Sequence, residues 1–303
     1  MKSLVSPLLE KCYTTPSQRE CIRIFVTKGN VFSTAASLLP SQTFMDTAIM
    51  YAFFRVVDDL INNVDMKVEE RRRLLIEFEK DFWESLEHGN ASDSPFMILP
   101  AVIETVNRLQ YDYNLFHRFF KSMFNDAVPS YVCLTREKTL EYLDGSAAVV
   151  GEIMLPILCQ HNRSLMMLVK DGAKALGIAC QLTSMLRDMV DDAQLGRVYL
   201  PDVKSEDISS IESVIEWAEG YYRQADLVMD RLPDSVRPMI QLVRTLYAAI
   251  HTEIRKNKYS LHTRATVPLL KKLNMARKIM NPFQCVRLVG SELLFKLVSR
   301  SSL

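Results

Sequence analysis

The chain has 303 residues, 48% of them apolar, with only nine glycines and twelve prolines, a balance that suits one large helical domain with a substantial core. A net charge of +1 provides no general field for nucleic acid. The weakly apolar start, Met-Lys-Ser-Leu-Val-Ser-Pro, does not read as a secretory signal, and no apolar run reaches spanning length. Six cysteines without Cys-x-x-Cys spacing (Cys12, Cys21, Cys133, Cys159, Cys180 and Cys285) read as reduced thiols of a cytosolic protein, and five scattered histidines form no His-x-x-x-His pair.

In chain order, residues 1–28 read as an extension or cap holding a short helix over 18–26 after a Thr-Thr-Pro break. Ser41 after Pro40 is the expected N-cap of a helix over 42–63, with Phe44, Ile49, Phe53, Val57 and Leu60 on its core side. A charged amphipathic helix is expected over 68–86, then a loop, His88-Gly-Asn-Ala-Ser-Asp-Ser-Pro95, then helices over 97–109, 113–126 and 136–158. The aromatic run Tyr111, Tyr113, Phe116, Phe119, Phe120 and Phe124 reads as core. Further helices are expected over 176–193, 211–229 and 236–257. The segment 286–303 is an amphipathic tail that either packs on the domain or makes peripheral membrane contact.

Two of these helices carry polar rows where the rest of their surface is apolar. Steps of three or four residues align Gly177, Gln181, Ser184, Asp188 and Asp192 on one, and Tyr51, Arg55, Asp58 and Asn62 on the other, with Asp59 alongside. Two aspartates at i,i+4 on a single helix read first as a solvated face. Two such helices facing each other could instead hold hard divalent cations, since magnesium combines a few carboxylates with phosphate oxygens. Arg55, one turn before Asp58, suits either a plain intrahelical ion pair or a grip on diphosphate oxygens. In the helix over 136–158 the small residues of Gly145-Ser-Ala-Ala-Val-Val-Gly151 weaken the helix and imply close approach by something large, either a neighbouring helix or a ligand.

The sequence resembles the squalene and phytoene synthases, which join two prenyl diphosphates head to head. The resemblance rests on Tyr51-Ala-Phe-Phe-Arg-Val-Val-Asp-Asp, Gly145-Ser-Ala-Ala-Val-Val-Gly151, Gln181-Leu-Thr-Ser-Met-Leu-Arg-Asp and Gly196-Arg-Val-Tyr-Leu-Pro201, with a fainter match at Asn257-Lys-Tyr-Ser-Leu-His-Thr-Arg264. It runs from about Phe32 to about Arg264. It implies an all-α, single-domain helical bundle of the class I isoprenoid synthase type, spanning 1–303 around a central cavity.

The resemblance also implies a magnesium-dependent prenyltransferase, with manganese as a substitute and no NADPH step. Metal ligands would be Asp58, Asp59, Asn62, Ser184, Asp188 and Asp192. Tyr51, Arg55, Gln181 and Tyr142 would act catalytically. Substrate would meet Lys28, Ser33, Arg55, Gly145, Ala148, Gly151, Arg187, Arg197, Tyr199, Tyr247 and Arg264, with Arg197 and Tyr199 as a lid over the diphosphates.

Three departures stand out: Asn62 replaces the last Asp of the first motif, Ser184 replaces the Asn before the second, and the stretch 28–33 lacks the usual basic and hydroxyl-bearing run apart from Lys28 and Ser33. The small-residue run points to geranylgeranyl diphosphate and phytoene. Squalene or dehydrosqualene from farnesyl diphosphate, transfer to an aromatic acceptor, and a non-catalytic assembly factor of the same fold are the alternatives. Partners are then prenyl diphosphates and no nucleic acid, in a cytoplasmic monomer or weak homodimer able to touch a membrane.

Overall fold

The computed structural model describes residues 14–280 apart from 30, 64, 129, 205 and 206. The expected tail at 286–303, and Cys12 and Cys285, lie outside the described residues.

The Thr-Thr-Pro stretch starts a helix rather than preceding one. In α1 (Pro16–Lys28), Thr15 Oγ1 accepts from the Gln18 amide at 3.2 Å and Gln18 Oε1 accepts from the Thr15 amide at 3.0 Å, a reciprocal cap with Pro16 in the first turn. A short α2 (Val31–Ala36) follows, then α3 (Ser41–Asn62). Ser41 is not the cap of α3: Pro40 occupies that position and no side chain bonds the first amides. Phe53 from α3 meets Phe78 and Phe82 of α4 (Val68–His88) and Phe116 and Phe120 of α6 (Tyr113–Asp126), with ring centroids 5.3–5.9 Å apart. With α5 (Leu99–Leu109) these helices enclose one apolar core that takes Tyr111, Phe116, Phe119 and Phe120 of the aromatic run, with Phe124 partly buried against it; Tyr113, expected in the core, is instead 45% exposed at the start of α6.

The helix expected over 136–158 is interrupted. It comprises α7 (Arg136–Leu143), a π-helical turn (Asp144–Ala148) and α8 (Val149–Leu158). A Cβ on Gly145 would lie 2.7 Å from Ser122 Cβ and 2.8 Å from the Arg118 carbonyl, so α6 presses directly on this turn. Ser122 and Ser146 hydroxyls both donate to the Tyr142 carbonyl, at 3.2 and 2.9 Å, where the helical ladder is displaced. Glu152 of α8 is held by Arg118 of α6 at 2.7 Å and Lys170 of α9 at 2.8 Å, which ties three helices together.

The longest element, α9 (Arg163–Gln194), begins well before the expected Leu176 because Asn162 caps it, accepting from the Leu165 amide at 3.0 Å. It packs on α8, on α10 (Ile208–Met229) and on α11 (Arg237–Lys256). α12 (Leu269–Ile279), which the sequence reading did not anticipate, closes the described chain. A two-residue parallel pair, β1 (Tyr131–Val132) with β2 (Arg197–Val198), joins Tyr131 to Arg197 and Val132 to Val198 in register.

Glycines set how closely α8 and α9 approach. A Cβ on Gly151 would fall on the Ala173 carbonyl, and one on Gly177 on the Ala147 carbonyl. Gly177→Ala is therefore expected to cost about 1–3 kcal/mol by overpacking, although Gly→Ala in an unconstrained helix gains about 1 kcal/mol. Urea unfolding reads the sign, and a stabilised variant would show that the two helices can part freely.

Candidate active site

Between the helices lies a cavity of about 660 Å³, in the range of small-molecule sites. Its wall combines polar side chains with aliphatic and aromatic ones such as Phe119, Met154, Val169, Val228 and Val243. Both polar rows reach its wall: Tyr51, Arg55, Asp58 and Asn62 from α3, and Gly177, Gln181, Ser184, Asp188 and Asp192 from α9. Tyr142, Gly151, Arg187, Arg197, Tyr199, Tyr247 and Arg264 line it too.

Lys28, Ser33, Asp59, Gly145 and Ala148 do not line this cavity. Lys28 is exposed at the end of α1 and Ser33 is buried in α2. Asp59 turns sideways to Arg55, 2.5 Å from Nη2. Gly145 faces α6, and Ala148 is buried in the helix packing. Of this run, Ser146, Ala147, Val150 and Gly151 line the cavity, and at Ala147 and Gly151 the cavity wall coincides with close contact to α9. Arg197 and Tyr199 are not a lid over the mouth. Both are buried in the wall, because the short parallel pair draws their backbone inward.

Charge on the polar rows is organised by arginines. Asp188 receives Arg187 Nε and Nη2 at 2.8 and 2.5 Å, and Arg264 Nε and Nη2 at 3.0 and 3.1 Å. Arg55 lies 3.3 Å from Asp58, so the plain intrahelical pairing is present on a residue that also faces the cavity. Asn62 is a bridge: its Nδ2 donates to Asp58 at 2.7 Å, while its Oδ1 accepts from Arg197 Nη1. Its amide oxygen is thus already engaged.

Arg197 is 4% exposed and also donates to the Ile61 and Asp126 carbonyls, each at 3.0 Å, while its Nε has no partner among the described residues. Asp126, at the end of α6, is a wall residue that sequence spacing does not reveal. Its carboxylate accepts from both Tyr142 and Tyr199 hydroxyls at 2.6 Å, which leaves those phenols anchored rather than free. Burial raises its pKa against the lowering effect of the two tyrosines and Arg197. Tyr51 meets Phe25 in a tilted contact with ring centroids 4.9 Å apart, and Phe32 stands between Tyr51 and Tyr247 at 6.4 and 5.4 Å, an aromatic group on the cavity wall.

Asp58 is surrounded by protein yet opens to the cavity, with 44% of its side chain accessible. Burial pushes its pKa up to about 6 despite Arg55. Burial, then the charge of Asp188, pushes Asp192 up to about 7. These two carboxylates, raised chiefly by burial, together with the Ser184 hydroxyl offer all-oxygen donors that suit a hard divalent cation sharing its shell with a substrate. Among the described residues, no three His, Cys, Asp or Glu side chains form a metal cage by themselves, so substrate oxygens would have to complete any shell.

The Asp192 shift has a testable sign. A carboxyl whose folded pKa is raised destabilises the fold when ionised, fully above the folded value, and this penalty fades as pH falls towards the unfolded value. Without divalent cations, Asp192→Asn is expected to raise the urea midpoint at about pH 8 and to change it much less near about pH 4. Equal midpoints at the higher pH would mean that the carboxylate is not strained.

The squalene/phytoene synthase family profile matches residues 26–271, across both polar rows and most of the chain. The chain belongs to the squalene/phytoene synthase family. It is accordingly a prenyl-transferring enzyme of the head-to-head condensing class. It is 26% identical to a 4,4'-diapophytoene synthase of Staphylococcus haemolyticus over 284 residues, covering 87% of this chain and 96% of that one. It is 28% identical to a 15-cis-phytoene synthase of a Paracoccus strain, covering 76% and 80%.

Among solved structures, a dehydrosqualene synthase in complex with a ligand superposes with a TM-score of 0.72 at 22% identity, covering 91% of this chain and 97% of that one. A squalene synthase of Alicyclobacillus acidocaldarius superposes with 0.67 at 21% identity, covering 80% and 95%. These two establish the all-α isoprenoid synthase fold. No helix among the described residues is long and apolar enough to cross a membrane.

Proposed function

We propose that this family member joins two prenyl diphosphates head to head in a divalent-cation-dependent reaction, with geranylgeranyl diphosphate as substrate and phytoene as product. The observation that carries the reading is the cavity itself, whose wall holds both polar rows together with an extensive apolar lining. Asp58, Asp188 and Asp192, with Ser184, would hold magnesium, or manganese in its place. The bound cations would neutralise the charge that gathers on the departing diphosphate.

The chain's own residues do the rest. Arg55, Arg187 and Arg264 lie beside those carboxylates and can share their guanidinium donors with phosphate oxygens, which match the fork. Gln181 lines the wall one turn before Ser184 and offers an amide to the reacting end. As the allylic carbon–oxygen bond breaks, the apolar wall excludes water, so the cationic carbon meets the double bond of the second chain rather than a hydroxyl. The rings of Tyr51, Phe32 and Tyr247, which line the cavity together, would offer their faces to the passing positive charge. A carbon–carbon bond forms with loss of one proton, giving a cyclopropyl diphosphate; this second diphosphate then leaves, the cation rearranges, and a second proton departs with the final double bond. No reductant is consumed on this reading.

A second reading has its own support. The diapophytoene synthase aligns over nearly its full length, which favours farnesyl diphosphate as donor. Incubating the enzyme with labelled farnesyl and geranylgeranyl diphosphates, with magnesium or with chelator, and with or without NADPH, followed by mass identification of the hydrocarbon, decides between them. The proposal expects a forty-carbon product that needs the metal and not NADPH. A thirty-carbon product moves the assignment to the second reading, and inactivity with both donors sinks head-to-head condensation.

A further inference from the structure

Charge is unevenly distributed along the chain. Residues 255–280 hold eight lysines and arginines and no carboxylate, so the remainder of a chain with a total of only +1 is acidic. This basic segment runs from the last turn of α11 through the left-handed residues Lys258 and Tyr259 to the end of α12. Some of its cations are engaged: Arg255 with Glu212, Lys256 and Lys271 with Glu253, Arg264 with Asp188. Lys258, Lys272, Arg277 and Lys278 make no ion pair among the described residues.

Apolar side chains stand exposed within the same segment. Leu269 is 43% and Leu270 76% exposed, at the start of α12. Helical spacing places Leu270, Asn274, Arg277 and Lys278 on one face, and all four are exposed, whereas Met275, Ala276 and Ile279 pack inward. The Lys271–Glu253 bridge, 2.7 Å long, brings the two leucines close to the basic turn at 255–258. Water solvates such cations but not the leucines between them. A nucleic acid would meet the charges and leave the leucines wet. An anionic bilayer answers both, with phosphate headgroups for the cations and an acyl boundary for the leucines.

We propose that α12 and the basic turn preceding it dock this protein on anionic lipid bilayers, with Leu269 and Leu270 entering the headgroup boundary. Arg264 belongs to the same segment and lines the cavity, so docking turns that side of the cavity towards the lipid. On the prenyl reading this orientation would let apolar substrate and product pass directly to and from the bilayer. The docking itself rests on charge and exposure alone.

The test uses the full chain, sedimented with vesicles of phosphatidylcholine alone or mixed with phosphatidylglycerol, at low and at moderate salt. Binding is expected only to the anionic vesicles and is weakened by salt. Arg277→Ala and Lys278→Ala should each lower partitioning about fivefold, and Leu269→Ser combined with Leu270→Ser about tenfold or more, all with the parent's thermal midpoint. Equal binding to neutral vesicles overturns the proposal, as does no binding to anionic ones. Variants that bind like the parent, or preferential capture by a short RNA in competition, overturn it too. Because no outcome depends on turnover, failure here is separate from failure of the enzymatic reading.

Discussion

Asp188→Ala is expected to lower turnover about 10²–10³-fold, the scale on which loss of a single charge-stabilising group acts at a reacting centre, while the chain stays folded. Asp188 is the convergence point of the polar rows, the only aspartate among the described residues reached by two arginines from different parts of the chain. Removing it takes a carboxylate from the cation site and also releases Arg187 and Arg264 from their aim. Asp188→Asn separates the two effects: an amide oxygen still accepts from one guanidinium but brings no charge, so it should restore folding stability without restoring turnover. The measurements are kcat with saturating donor, circular dichroism, and the stabilisation given by magnesium with inorganic diphosphate. That stabilisation reaches about 2.7 kcal/mol at a hundredfold excess over Kd for a chain that binds, and should largely vanish in Asp188→Ala. Turnover near that of the parent would remove Asp188 from the cation site.

The parts of this site that could be read from the sequence are those that obey helical periodicity. Tyr51, Arg55, Asp58 and Asn62 share a face because 3.6 residues make a turn, and the same rule aligns Gln181, Ser184, Asp188 and Asp192. Periodicity says which residues share a face but not what that face meets. Asp126 was hidden for that reason: its partners Tyr142, Tyr199 and Arg197 come from two other segments, and nothing local at the end of α6 marks it.

The interruption at 144–148 was hidden for a related reason. Gly145 signals close approach, but the approaching surface is α6, far away in sequence, and its pressure is what displaces the helical ladder. The early start of α9 is legible in the sequence, since Asn162 is a good cap and Leu165, Met166 and Val169 follow it at helical spacing. α12 lacks a side-chain cap, and although Leu269, Leu273, Ala276 and Met280 recur at helical spacing, the stripe is short and set among Lys271, Lys272, Arg277 and Lys278.

Arg197 is where the two polar rows are mechanically joined, which makes Arg197→Met the variant with the largest expected loss of stability. Its guanidinium donates to the Ile61 carbonyl and the Asn62 side chain at the end of α3, and to the Asp126 carbonyl at the end of α6, while its own backbone lies in the parallel pair with Tyr131. Deleting the donors strips Asn62 Oδ1 and the Asp126 carbonyl of this partner, while the Ile61 carbonyl keeps Arg71 Nη1 at 2.9 Å, and it takes away a charge that helps Asp126 ionise. Hydrogen bonds to a charged group contribute roughly 1.5–3 kcal/mol each and do not simply add, so a total of about 3–5 kcal/mol is expected. Arg197→Lys should recover less than half of this, because a single ammonium cannot span acceptors arranged around a planar fork. Urea unfolding measures both variants. Turnover should fall further than stability alone explains, since Asn62 no longer holds Asp58 towards the cavity. If the lysine variant is as stable and as active as the parent, charge alone suffices there, and the fork does not set the geometry of the first polar row.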